Sequence, residues 1–353
     1  MKCNILIISL LLLFKSLSGN EFLKSRHFFV QPAYHTGFIP DPNYLHQDLI
    51  NGFTRSIHLS MGIQTNGNKK WHKYYFFPET GITFLYYYLS NDKQLGRMTA
   101  LVPFIQIKPV NQRAIYPSAS FGIGLAYNNK PYHRIENHHN QLIGSHLNAS
   151  IIGGFDLNIK IYSNLHALAG VSFAHFSNGN TKVPNRSINI LKLNAGLKYL
   201  FNDIAPEYNN HEDFKKYEFS LACGFSVTDR KNGLYKGYHY YDVMLEAARK
   251  FNPAMGIGLG LDITFNDADT SNSYYNWYFP EQRIQKGLKI FSQFTFSRLE
   301  MLFSFGYELK ASPALYDQII LRYKIINSIK FNMLYKSYLL FGDHLSWGVC
   351  FTL

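Results

Sequence analysis

Period-two alternation along almost the whole chain most constrains its fold, because strand side chains alternate faces and no helical period of comparable strength competes. In one stretch Ala119, Phe121, Ile123, Leu125 and Tyr127 alternate with Ser118, Ser120, Gly122, Gly124 and Ala126. In another, Met255, Ile257, Leu259, Leu261, Ile263 and Phe265 alternate with Gly256, Gly258, Gly260, Asp262 and Thr264. The runs Ser150 to Tyr162, Tyr217 to Thr228 and Leu299 to Leu309 behave alike. Each run has about ten residues, the length of a tilted strand crossing a bilayer. No later stretch is both long and uncharged enough for a membrane helix, which needs about 20 apolar residues. The expectation is an all-β chain, a transmembrane antiparallel up-and-down β-barrel of about sixteen strands, with eight to fourteen as the alternative.

The two ends point to export. Met1 and Lys2 supply a positive start, Ile5 to Phe14 an apolar run, and Ser16-Leu17-Ser18 the small-x-small form of a signal peptidase site. A signal peptide is expected over residues 1–18, with the barrel over 19–353. Cys3 precedes the apolar run and is not placed as a lipoprotein anchor. Cys223 and Cys350 fall inside strand patterns and read as two buried thiols rather than a disulfide framework. At the C-terminus Leu345, Trp347, Val349, Phe351 and Leu353 share one face. Such a terminal strand resembles the assembly signal of outer-membrane barrels, with Leu353 where the usual final Phe would stand; this implies the barrel assembly machinery as a partner during insertion.

Segmenting by alternation gives about sixteen strands, near 27–37, 55–64, 81–90, 97–108, 117–127, 148–162, 165–177, 188–200, 216–228, 236–249, 254–265, 286–296, 299–309, 316–325, 328–336 and 343–353. The even count suits a bacterial barrel, and tight turns at Ser163-Asn164 and Ser297-Arg298 fall on the periplasmic side. The segments Thr65 to Thr80 and Asn202 to Lys215 are long for that side. The second can be a linker between two eight-stranded units; no internal repeat supports two units, so one barrel is expected. With 26 Tyr and 29 Phe the chain has aromatics for girdles at both membrane interfaces.

Removing Lys2 and Lys15 with the signal takes the formal charge from +12 to +10. A basic surface attracts anions. The chain has no clustered Lys/Arg run, so nucleic acid is not expected, and an exported protein first meets phosphorylated lipid head groups.

One corner of the wall breaks the apolar pattern. Leu165, Ala167, Ala169, Val171 and Phe173 form an outward face, and the same parity continues into His175 and Ser177 at the outer end. On the next strand Asn189 shares parity with Leu191, Leu193, Ala195, Leu197 and Tyr199. A hairpin symmetric about Val183 would set Ser177 opposite Asn189 and His175 opposite Leu191, close enough for the three side chains to meet. A serine beside an imidazole that a third polar group orients is the apparatus of acyl transfer.

His175-Phe176-Ser177-Asn178-Gly179-Asn180, followed by Lys182, Pro184-Asn185 and Ile188-Asn189, resembles the lipid A 3-O-deacylases, a PagL-like family filed more broadly as acyloxyacyl hydrolases. Upstream, Tyr34 to Ile39, Trp71, Pro78 to Gly81, Gly122 to Tyr127 and the set Asn137, Asn140, Gly144 and Ser145 are similar to the longer Bacteroidetes branch. The likeness covers about residues 27–201; residues 202–353 read as additional barrel strands. It implies an outer-membrane hydrolase of lipid A acyl esters in lipopolysaccharide, without a cofactor or metal. Ser177 would be the nucleophile and His175 the base, with Asn178, Gly179 and Asn180 around the oxyanion hole. The family's third residue, a Glu, is here Asn189, which can orient an imidazole but not neutralise it; Glu136 and Asp213 are other acids that could contribute. His133, His138, His139 and Glu136 match no standard metal spacing.

Two other functions compete. A non-catalytic barrel, a pore or an envelope-complex component, would use the lumen that sixteen strands leave. A soluble secreted binder would make no use of the outward apolar faces.

Overall fold

A computed structural model describes residues 27–40, 49–50, 52–202, 214–229, 237–266, 284–309, 314–338 and 341–353. The expected signal peptide and Asp213 lie outside these residues. Among the described residues there are sixteen antiparallel strands, each overlapping an expected segment: β1 Phe28–Phe38, β2 Thr54–Gln64, β3 Glu79–Tyr88, β4 Arg97–Ile107, β5 Ile115–Asn128, β6 Leu147–Lys160, β7 Leu165–Ser177 and β8 Ile188–Leu200, then β9 Tyr217–Asp229, β10 Gly237–Lys250, β11 Met255–Asn266, β12 Ile284–Phe296, β13 Leu299–Leu309, β14 Leu315–Lys324, β15 Ile329–Tyr338 and β16 Phe341–Thr352. A short helix, α1 Lys70–Tyr74, occupies the long inner connection between β2 and β3.

The sixteen strands close as two barrels, not as the single one expected. β1 pairs with β8, and β9 with β16, so each set of eight is sealed on itself. The segment 202–215 thus links two units. Alternation cannot distinguish these outcomes, because the edge of β1 offers the same free backbone groups to β8 as to β16. Closure at eight strands leaves an interior just wide enough for side chains to fill it.

The interiors are filled accordingly. In the first barrel Glu79 meets Lys108 at 2.6 Å and also pairs with Lys198. In the second, Lys289 bridges Glu246 and Asp262 at 2.9 Å each, Arg322 meets Glu246 at 2.7 Å, and Lys336 meets Glu308 at 2.9 Å. Buried charges persist only when paired in this way. A lumen cavity of the first barrel, beside His35, Gln106 and Asp156, measures about 60 Å³ and suits waters, not a solute path. Outward positions remain apolar and exposed, among them Leu101, Leu125, Phe155, Leu193, Leu259 and Phe305. Cys223 joins this outer face and is exposed, whereas Cys350 is buried in the lumen, which corrects the expectation of two buried thiols.

The barrels touch side by side at three levels. At the inner end the Tyr75 hydroxyl, just after α1, donates to the Ala254 carbonyl at 2.8 Å and accepts the Thr295 N–H at 3.1 Å, while its ring stacks on Phe296. Midway, Phe121 of β5 meets Phe303 of β13 edge-on, with ring centroids 5.6 Å apart. At the outer end the loop after β7 reaches β15 and β16.

Candidate active site

The β7–β8 ladder runs from Leu165↔Tyr199 to Phe176↔Ile188 and sets His175 directly opposite Asn189. The hairpin is therefore centred one residue earlier than expected, and Leu191 faces Phe173 instead. Ser177 lies past the last β8 pair and is opposite Ala149 of β6. The shift improves the geometry for His175: its Nδ1 stands 2.7 Å from Asn189 Oδ1. An amide oxygen only accepts, so Nδ1 carries the proton and the Nε2 lone pair is free.

Ser177 and His175 share the outward face of β7, yet Ser177 is only 4 % exposed. Its Oγ accepts hydrogen bonds from the Gly179 N–H at 3.2 Å and from Asn185 Nδ2 at 2.9 Å. Asn185 also uses its Oδ1 to accept the Asn178 N–H at 3.2 Å and its Nδ2 to reach Asn180 Oδ1 at 3.2 Å. The Asn178 side chain donates to Ser145 Oγ at 2.9 Å and to the Lys182 carbonyl at 2.7 Å. The loop is thereby folded around the serine, with φ +62° at Gly179 and +59° at Asn180, a region that glycine and asparagine tolerate best.

Of the residues expected around an oxyanion, Gly179 is the one whose N–H points at Ser177 Oγ. Asn178 braces the loop, and Asn180 faces the second barrel, donating to the carbonyls of Gly342 and Asp343, the latter at 3.4 Å. Asn185 stands out in the sequence only within the Pro184-Asn185 motif, and its contact with Ser177 depends on a loop fold that linear spacing does not specify. Glu136 is 3.9 Å from His133 at an exposed loop tip, so the group that meets His175 is Asn189.

Direct serine–histidine contacts lie in the first lumen instead: His35 Nδ1 is 3.1 Å from Ser172 Oγ and Ser56 Oγ is 3.1 Å from His58 Nε2, beside the small cavity, where a polar network explains them. On the outer wall, by contrast, an apolar groove of about 820 Å³ runs past Phe38, Phe53, Val171, Phe173, Leu191 and Leu193. It starts at the Phe173–Leu191 pair, one outward step below His175 and Asn189. Its floor includes Gly153, where an added Cβ would find nothing closer than the Ser120 carbonyl oxygen at 4.0 Å.

Comparison with known proteins follows the division into barrels. A family model described as lipid A 3-O-deacylase (PagL) matches residues 55–198, within the first barrel. One described as acyloxyacyl hydrolase, C-terminal domain, matches residues 215–353, the second. No curated protein matches the chain. Among solved structures the chain is similar to Neisserial surface protein A (NspA), at 14 % identity and a TM-score of 0.34, over 49 % of this chain and 96 % of that one. It is also similar to a Rhodopseudomonas blastica porin, at 8 % identity and a TM-score of 0.19, over 92 % and 99 %.

Proposed function

This chain belongs to the PagL-like family of lipid A deacylases and acyloxyacyl hydrolases, and on that premise we propose that it hydrolyses a lipid A acyl ester at the outer-leaflet corner formed by His175, Ser177 and Asn189. The observation that supports the proposal is the His175–Asn189 hydrogen bond, which leaves the His175 Nε2 lone pair available on the strand face that it shares with Ser177.

Ser177 Oγ attacks the acyl carbonyl carbon as its proton passes to His175 Nε2. In this reading the Gly179 N–H and the Asn185 amide, which donate to Oγ before the ester binds, turn to the carbonyl oxygen as it becomes negative. One such donor typically contributes about 3 kcal/mol. The C–O bond to the sugar breaks, the sugar oxygen takes the proton from His175, and water then hydrolyses the acyl-serine by the same route. Asn189 holds the ring in place without neutralising the imidazolium, the role an asparagine has in Cys-His-Asn proteases. The groove below His175 offers the departing acyl chain an apolar surface. An outer-membrane setting follows from the apolar outer walls, and export through a cleaved signal peptide is part of this reading.

Mass spectrometry of lipid A from cells co-expressing the protein tests it. The expected result is loss of one acyl chain with the intact protein and full-mass lipid A with Ser177→Ala or His175→Ala. Unaltered lipid A with the intact protein overturns the assignment of that substrate.

A further inference from the structure

An outward-facing nucleophile on a barrel wall should be open to the membrane, yet Ser177 is buried. Its own loop folds around it, and the second barrel adds a further covering group. Tyr335, on the outward face of β15, brings its hydroxyl within reach of Ser177, and its ring lies 3.8 Å from where a Cβ on Gly179 would be. Leu345, paired with Tyr335 across β15 and β16, would be 3.0 Å from the same Cβ. A side chain at Gly179 would be tight against Leu345 and strained at φ +62°, so glycine suits this close approach to β16.

The covering corner is irregular. Between Lys336 and Ser337 the β15–β16 register shifts: Lys336 pairs with His344 and Ser337 with Gly342, leaving Asp343 as the extra residue. Bulges of this kind recur at barrel rims and re-aim neighbouring side chains. The Gly342 and Asp343 carbonyls at the bulge receive Asn180 Nδ2 from the first barrel. The Asp343 carboxylate is meanwhile held by His344 Nδ1 at 2.9 Å, and His344 Nε2 by Asp242 at 2.9 Å. The bulge is thus anchored on both sides, and the Tyr335 side chain projects from beside it onto the serine.

Resting on the function proposed above, we propose that the second barrel is part of the active site, with Tyr335 a cover over Ser177 that must swing aside before an acyl ester can reach it. The ester enters along the seam between the barrels, where β7 faces β15 and β16. The second barrel thereby controls access to chemistry performed by the first.

The test separates access from catalysis. In a Ser177→Cys protein in detergent micelles, modification by a small methanethiosulfonate reagent, mapped by peptide mass, reports access with no catalytic step. Because a minor open state is populated at roughly 10 % or less, adding Tyr335→Ala should speed modification at least about tenfold, whereas Tyr335→Phe, which keeps the ring, should leave it near the parent rate. Equal rates in parent and Tyr335→Ala overturn the cover. With Ser177 in place, Tyr335→Ala should deacylate lipid A faster than the wild type. Faster modification with slower deacylation would make Tyr335 a positioning group for the nucleophile and would also overturn the cover. Absence of deacylation in every protein would sink the proposed function, while the thiol measurement still decides the cover. Heat-modifiable migration in gels verifies that each variant is folded.

Discussion

At the scale of single residues the proposed site rests on two asparagines. Asn189 fixes the His175 tautomer through one 2.7 Å bond. Asn189→Ala should leave binding intact and lower kcat by about 10²-fold, the lower range of losses for one oriented polar group, measurable with purified protein on lipid A micelles. Asn189→Asp, which keeps the acceptor oxygen, should retain most activity. Asn185→Ala removes a donor to Ser177 Oγ and the acceptor that holds the Asn178 N–H. It should lower kcat by about 10²- to 10³-fold, with KM little changed. That His175, Ser177 and Asn189 lie at one outward strand end was legible in the sequence because strand parity is local. The role of Asn185 was not, since it depends on the return path of the loop.

At the scale of elements, β6 and the α1 connection each support a prediction. Gly153 leaves open space on the outer wall of β6, so Gly153→Leu should fold normally and fill the groove. Deacylation of long-chain esters should fall relative to short-chain esters in a chain-length series; an unchanged ratio would exclude the groove as the acyl site. In the connection before β3, burial and the nearby Lys69 lower the His72 pKa to about 4, and His72 Nδ1 accepts the Gly67 N–H at 3.2 Å. A base held below its unfolded value of 6.5 stabilises the fold as the neutral form. That contribution is present above pH 6.5 and is lost as the pH falls towards 4. Amide hydrogen exchange in residues 65–78 should therefore accelerate, at constant intrinsic rate, over this window, and His72→Gln should flatten the response.

For the whole molecule, closure at eight strands turns a possible channel into two filled cores. Planar bilayers containing the protein should show no stable single-channel conductance; steps that survive purification would contradict the packed lumens. Glu79 lies between Lys108 and Lys198 in the first lumen. Glu79→Ala removes the carboxylate that two buried ammonium groups share, a change that typically costs about 3 to 5 kcal/mol, read as a lower unfolding midpoint in urea titrations of vesicle-embedded protein.

The sequence alone determined the all-β class, the inward and outward faces and the polar corner, because side-chain alternation is a property of each strand regardless of its partners. Only the tertiary structure decided that β1 closes on β8, that Asn189 lies opposite His175, and that Tyr335 covers Ser177. These are pairings between distant segments, and period-two patterning is equally satisfied by many of them. Closure and the seam follow from which edges meet and how two apolar walls pack.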